Sequence, residues 1–192
     1  MAITEKGAES SASKIWGVKV RHIVYMALGA ALYAGLSIAT NLLKLPATSN
    51  VSLRPGIVIP LFFGVVFGPW VGLFTGAVGN IIGDLVSGYG FYWNWDLGNG
   101  LIGFVAGLAL YLTGGRYNIV RNIIIAEIFG IVGILVGMGF AAYSDMPLLQ
   151  YTWQAATGNF VPAAVSDIIN GVILLPIVLV AYNAAVRRSG RG

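Results

Sequence analysis

FTGAVGNIIGDLVSGYGFYWNWDLGNG, residues 74–100, has the glycine and apolar content of a membrane helix, yet Asn80, Asp84, Asn94, Asp96 and Asn99 run through it. In hydrocarbon each such group costs free energy unless protein, water or a ligand satisfies it. The stretch therefore asks for a polar interior. Of the 192 residues 57% are hydrophobic and only 9% charged, whereas a soluble domain carries about 25% charged residues. The expected fold class is an all-α integral membrane protein.

Apolar runs of about 20 residues predict six transmembrane helices near 22–43, 55–69, 70–87, 97–113, 118–142 and 159–186. They make one domain, 22–186, between a polar tail with an interfacial start (1–21) and a basic C-terminus (187–192). Residues 1–13 hold no apolar core with a cleavage site, so no signal peptide is expected and the tail reads as disordered. FGPW (67–70) predicts a tight turn, because proline disfavours the helical conformation of the residue before it. With six spans, Lys6, Lys14, Lys19, Arg21, Arg116, Arg121, Arg187, Arg188 and Arg191 share one side, leaving Lys44 and Arg54 on the other. Basic residues mark the cytoplasmic side, so both termini are expected there. The same bias accounts for the net charge of +4, and no nucleic-acid partner is implied.

The chain has no cysteine and a single histidine, His22, beside Arg21 at the start of the first helix. Disulfides, iron–sulfur clusters and thiol catalysis are excluded. A serine nucleophile would need a base, and most metal hydrolases several imidazoles or carboxylates at helical spacing. Neither set is present. No enzyme activity, metal or cofactor is expected of this chain.

The outward loops are expected at 44–54, 88–96 and 143–158, and FYWNWD (91–96) is denser in rings than interfacial anchoring requires. Alternating rings and hydrogen-bonding groups suit a planar ligand, the rings stacking while Asn and Asp fix orientation. In the third helix Gly72, Gly76, Asn80 and Asp84 recur every four residues and so share a face. In the sixth, Asn159, Ala163, Ser166 or Asp167, and Asn170 form a second stripe. Asp84, Asp167 and Glu127, if all charged and unpaired, would cost about 8–10 kcal/mol in the bilayer. Protonation, a water-filled outward cavity, or a cationic or donor-bearing ligand would relieve that cost. In the first helix Ala27, Ala31, Gly35 and Ala39 form a ladder of small residues, a groove that admits another helix from this chain or a second one.

Three stretches carry a family resemblance: GAALYAGLS (29–37), SLRPGIVIPLFFGVVFGPWVGLFTGAVGNIIGDLVSGYG (52–90) and WNWDLGNGLIG (93–103). Together with length, span count and the alanine ladder, they resemble the substrate-capture S component of energy-coupling-factor (ECF) vitamin transporters, in the UPF0397, riboflavin-transporter-like branch. The resemblance covers about residues 22–110 with distinctive motifs, and beyond 115 only hydropathy and length. It implies a multi-pass protein of a prokaryotic plasma membrane that captures a vitamin-like small molecule from outside. Its implied partners are membrane lipid, a transmembrane coupling protein and two ATP-binding-cassette ATPases that hydrolyse the ATP. Docking on the coupling protein falls by match on Ala27 and Ala31, with Gly35 extending the ladder. Ligand groups fall on Asp84, Trp93, Asn94, Trp95, Asp96, Asn99, Asn159 and Asp167, followed by Asn80, Asn170 and Arg54. Excess acid among indoles suits thiamine, its pyrimidine precursor or a pyridoxine-type vitamin, while the branch also allows riboflavin, cobalamin or a methionine-related compound. The rival reading is an autonomous ion- or proton-coupled transporter or channel with Asp84, Glu127 and Asp167 as relay groups. A purely structural subunit is a third.

Overall fold

The computed structural model describes residues 18–40 and 54–190, and among these every regular element is helical. The helices are α1 (Val20–Thr40), α2 (Val58–Phe67) entered through a 3-10 turn at Pro55–Ile57, α3 (Pro69–Val86), α4 (Trp93–Gly107), α5 (Leu110–Thr113), α6 (Val120–Leu149) and α7 (Trp153–Arg188). The tail before residue 18, Lys44 with most of the 44–54 loop, and Arg191 lie outside the described residues.

Among the described residues, five segments are long and apolar enough to cross a membrane: α1, α3, the α4–α5 run, α6 and α7. The sixth, Pro55–Phe67, is shorter; its 13 residues rise about 20 Å against a hydrocarbon core of about 30 Å. It is instead walled in by α3 and α4, with Val58, Leu61, Phe63 and Val65 buried. Gly68, at φ 113°, makes the turn at FGPW, and Pro69 starts α3 where its missing N–H is no loss.

Helix ends differ from the hydropathy reading at one side of the bundle. α4 begins at Trp93, not 97, and only Gln150–Thr152 separate α6 from α7, so most of the expected 143–158 loop is helix. Hydropathy measures preference for lipid, and Ser144, Asp145, Gln154 and Thr157 in these turns are polar without being helix breakers. Capping chemistry does the rest. Thr152 accepts from the Ala155 N–H at 3.2 Å, and Gln150 closes α6 in the left-handed conformation at φ 57°.

α4 is the spine, packing on α2, α3 and α6. Glycine makes that possible. A Cβ on Gly103 would overlap the backbone of Gly72, one on Gly76 the Asn99 carbonyl, and one on Gly137 the Gly98 carbonyl. The spacing-four face of α3 thus meets α4, backbone against backbone. At the basic end, near Lys19, Arg116 and Arg188, rings close the bundle. Tyr25 stacks on Phe67 at 4.1 Å, and Phe62 meets Phe67 and Tyr182 edge-on. The buried Tyr117 hydroxyl donates to the Val65 carbonyl at 2.7 Å and accepts from Thr113 at 3.0 Å. Burial pushes its pKa up to about 12, so it is a neutral phenol.

Candidate functional site: a polar cavity at one end of the bundle

At the opposite end, where α1, α3 and α6 finish and α4 and α7 begin, the helices part around a cavity of about 760 Å³. Its wall takes Tyr33, Ser37 and Thr40 from α1, Arg54 and Gly56 before α2, and Asn80 and Asp84 from α3. Tyr89 and Tyr92 come from the following turn, Trp95 and Asn99 from α4, and Asp145 and Leu149 from α6. Tyr151 and, on α7, Ala155, Gly158, Asn159 and Ala163 complete it.

One ionic knot lies within this wall. The Arg54 guanidinium donates to the Tyr33 hydroxyl (2.8 Å) and to Asn99 Oδ1, faces Met138 Sδ at 3.6 Å, and sits 3.5 Å from an Asp167 carboxylate oxygen. Tyr33 in turn donates to Asn99 Oδ1 at 2.8 Å, and Asn99 Nδ2 donates to the Trp95 carbonyl, also at 2.8 Å. Arg54 so joins α1, α4, α6 and α7. Asp167 is fully buried and neither oxygen has a hydrogen-bond partner, leaving the always-cationic guanidinium as its compensation. The sequence contains no second basic residue near it within the spans, which is why the cost of that acid is visible in sequence while its partner is not.

A second cluster joins α3 to α4. Asn80 Nδ2 donates to Asp84 at 2.8 Å and to Asp96 at 2.9 Å, so one amide separates two carboxylates. Asp84 is half-buried and lines the cavity; Asp96 is buried, and its second oxygen has no partner. A third cluster joins α4 to α6. Asp145 accepts from Asn94 Nδ2 at 2.7 Å and from the Trp95 indole N–H at 3.0 Å, and Asn94 also donates to the Ala141 carbonyl and Ser144.

Of the residues singled out from sequence, Arg54, Asn80, Asp84, Trp95, Asn99 and Asn159 line the cavity together. Asp167 stands behind Arg54, Asp96 behind Asn80, and Asn94 behind Asp145. Trp93 is half-exposed with its edge toward Phe140 at 6.4 Å, and Asn170 donates to the Ser166 carbonyl of its own helix. Neither lines the cavity. Sequence reasoning placed Asp145, Tyr89, Tyr92 and Tyr151 on the outer side without assigning them to the site, and passed over Tyr33 and Ser37. The signal for the last two was the spacing of four from Gly29 through Tyr33 to Ser37, the face that meets Gly79 and Gly83 of α3. Glu127, on α6, has one buried oxygen without a partner. On α1, Ala27, Ala31, Gly35 and Ala39 are exposed, while Ala30 and Ala34 are buried.

These features define a small helical membrane protein organised around a ligand-sized cavity with polar and aromatic walls. The family model for the S component of ECF-type riboflavin transporters matches residues 17–184. A UPF0397 protein of Aliivibrio salmonicida (strain LFI1238) is 31% identical over 135 residues, which are 68% of this chain and 73% of that protein. The chain belongs to the ECF S-component family, whose members are the substrate-binding, non-catalytic subunits of vitamin-type transporters.

Proposed function

We propose that this chain captures a flat, heteroaromatic vitamin from the outer face of a prokaryotic plasma membrane, with both termini in the cytoplasm. It hands the vitamin on while docked to a transmembrane coupling protein carrying two ATP-binding-cassette ATPases. The observation that carries this reading is the cavity itself. Its 760 Å³ falls within the usual range for small-molecule sites, and it lies at the end opposite the Lys and Arg cluster that marks the cytoplasm.

The lining narrows the chemistry. Arg54 is held by four groups, so it is a poor partner for a second anion. Asp84 and Asn159 present polar atoms among Tyr89, Tyr92, Trp95 and Tyr151. A ring bearing N–H donors or a positive charge fits this arrangement, as in thiamine, its pyrimidine precursor or a pyridoxine-type vitamin. The isoalloxazine of riboflavin, named in the matching family, is also a flat donor-bearing ring and belongs in the same test. For docking, the exposed ladder of Ala27, Ala31 and Gly35 offers a groove where a Cβ on Gly35 would meet nothing within 4 Å.

The test is native mass spectrometry of the purified protein against a vitamin panel, with thermal shift as a second readout. One panel member should remain bound and raise the melting temperature. Absence of any retained vitamin, with the protein folded, overturns the capture reading.

A further inference from the structure

Among the described residues Trp95 is the one indole in the cavity wall, and its orientation is fixed from α6. The Asp145 carboxylate accepts the indole N–H at 3.0 Å with one oxygen and the Asn94 amide at 2.7 Å with the other. It is only 3% exposed. The indole has a single donor, and Asp145 consumes it. What remains for a guest is the ring face. The main-chain carbonyl of Asp145 also accepts from the Gln150 and Tyr151 N–H groups where the chain turns from α6 into α7. Tyr151 then lines the same cavity.

We propose that Asp145 is a positioning residue that locks the Trp95 indole as a stacking wall, so that recognition of a flat conjugated ring depends on a carboxylate acting through tryptophan. The assignment rests on the capture reading for its ligand but not for its geometry. A hydrogen bond to a carboxylate is worth roughly twice a neutral one, and it adds to the packing of the Trp95 ring against the hydrophobic core in fixing the ring's orientation. Asn94 keeps the Ala141 carbonyl and Ser144 as acceptors without Asp145. The indole N–H keeps no acceptor. Loss of Asp145 therefore falls chiefly on Trp95.

The first measurement needs no ligand. In 5-fluorotryptophan-labelled protein, the Trp95 fluorine resonance, assigned through Trp95→Phe, should be single and narrow. Asp145→Ala should broaden or split it. Asp145→Asn retains one acceptor oxygen and should partly restore it, which also guards against an alanine variant that does not fold. An unchanged Trp95 resonance in a folded Asp145→Ala protein overturns the proposal.

The second measurement is a riboflavin titration read by quenching of flavin fluorescence. Asp145→Ala should weaken binding about ten-fold, and the same change in a Trp95→Phe background should weaken it no further. Equal losses in both backgrounds would show that Asp145 does not act through Trp95. If wild type does not bind riboflavin, that choice of vitamin fails, while the fluorine measurement still decides the role of Asp145.

Discussion

The two ends of this bundle are built from the same helices by opposite means. At the basic end, Tyr25, Phe62, Phe67 and Tyr182 interlock and Tyr117 spends its hydroxyl on Val65 and Thr113, so side chains fill the space between the helices. At the other end, polar side chains from α1, α3, α4, α6 and α7 hold the helices apart around an open space. Between them, the glycine seam of α3, α4 and α6 sets how near the backbones come. The difference shows that the cavity is not a packing failure. Its edges are braced by three polar clusters, each tying α4 to a neighbour, while the seam behind them has no slack.

The sharpest way to break this contrast is to spoil the seam. Gly103→Val puts a branched side chain where the Gly72 backbone already lies, and no rotamer avoids it. The expected outcome is loss of monodisperse protein in detergent chromatography. Next comes the ionic knot: Arg54→Ala leaves Asp167 buried with no counter-charge, a loss of about 3–5 kcal/mol measurable by denaturant unfolding. Asp167→Asn should cost less, since Arg54 keeps Tyr33 and Asn99.

Further down the scale, Asp84→Asn keeps an acceptor oxygen for Asn80, so it should cost about 1 kcal/mol in unfolding and weaken binding of the retained vitamin roughly ten-fold. Binding calorimetry beside a melting curve checks both halves of that statement. The smallest structural effect belongs to Ala31→Trp on the exposed ladder. Stability and ligand affinity should match wild type, and vitamin uptake by cells expressing the coupling protein and ATPases should stop.

Much of the fold was legible in the sequence because lipid imposes a coarse rule: apolar length predicts spans and their order, and proline marks the FGPW turn. What escaped was everything that hydropathy does not price. The cavity-end turns of α4, α6 and α7 contain Trp, Asn, Ser, Thr and Gln that helices accept and lipid does not, so 93–96 and 143–158 read as loops. Within the site, acids announced themselves by cost, and Asp84 and Asp167 were visible for that reason. Tyr33 was not, because a phenol in a small-residue helix is cheap until its hydroxyl is seen between Arg54 and Asn99. Partnership across helices, such as that of Asp145 with Asn94 and Trp95, has no period in the sequence and emerges only from the fold.

α4 carries both the seam and half of the polar braces, which ties two kinds of change together. A substitution there that reshapes the chamber also disturbs its neighbours' approach, so variation in ligand preference among descendants of this sequence should accumulate elsewhere. The freer ground is α7, where Ala155 and Gly158 border the chamber and a side chain added at 158 meets no neighbour. New tastes can be acquired along that helix while the spine is left alone.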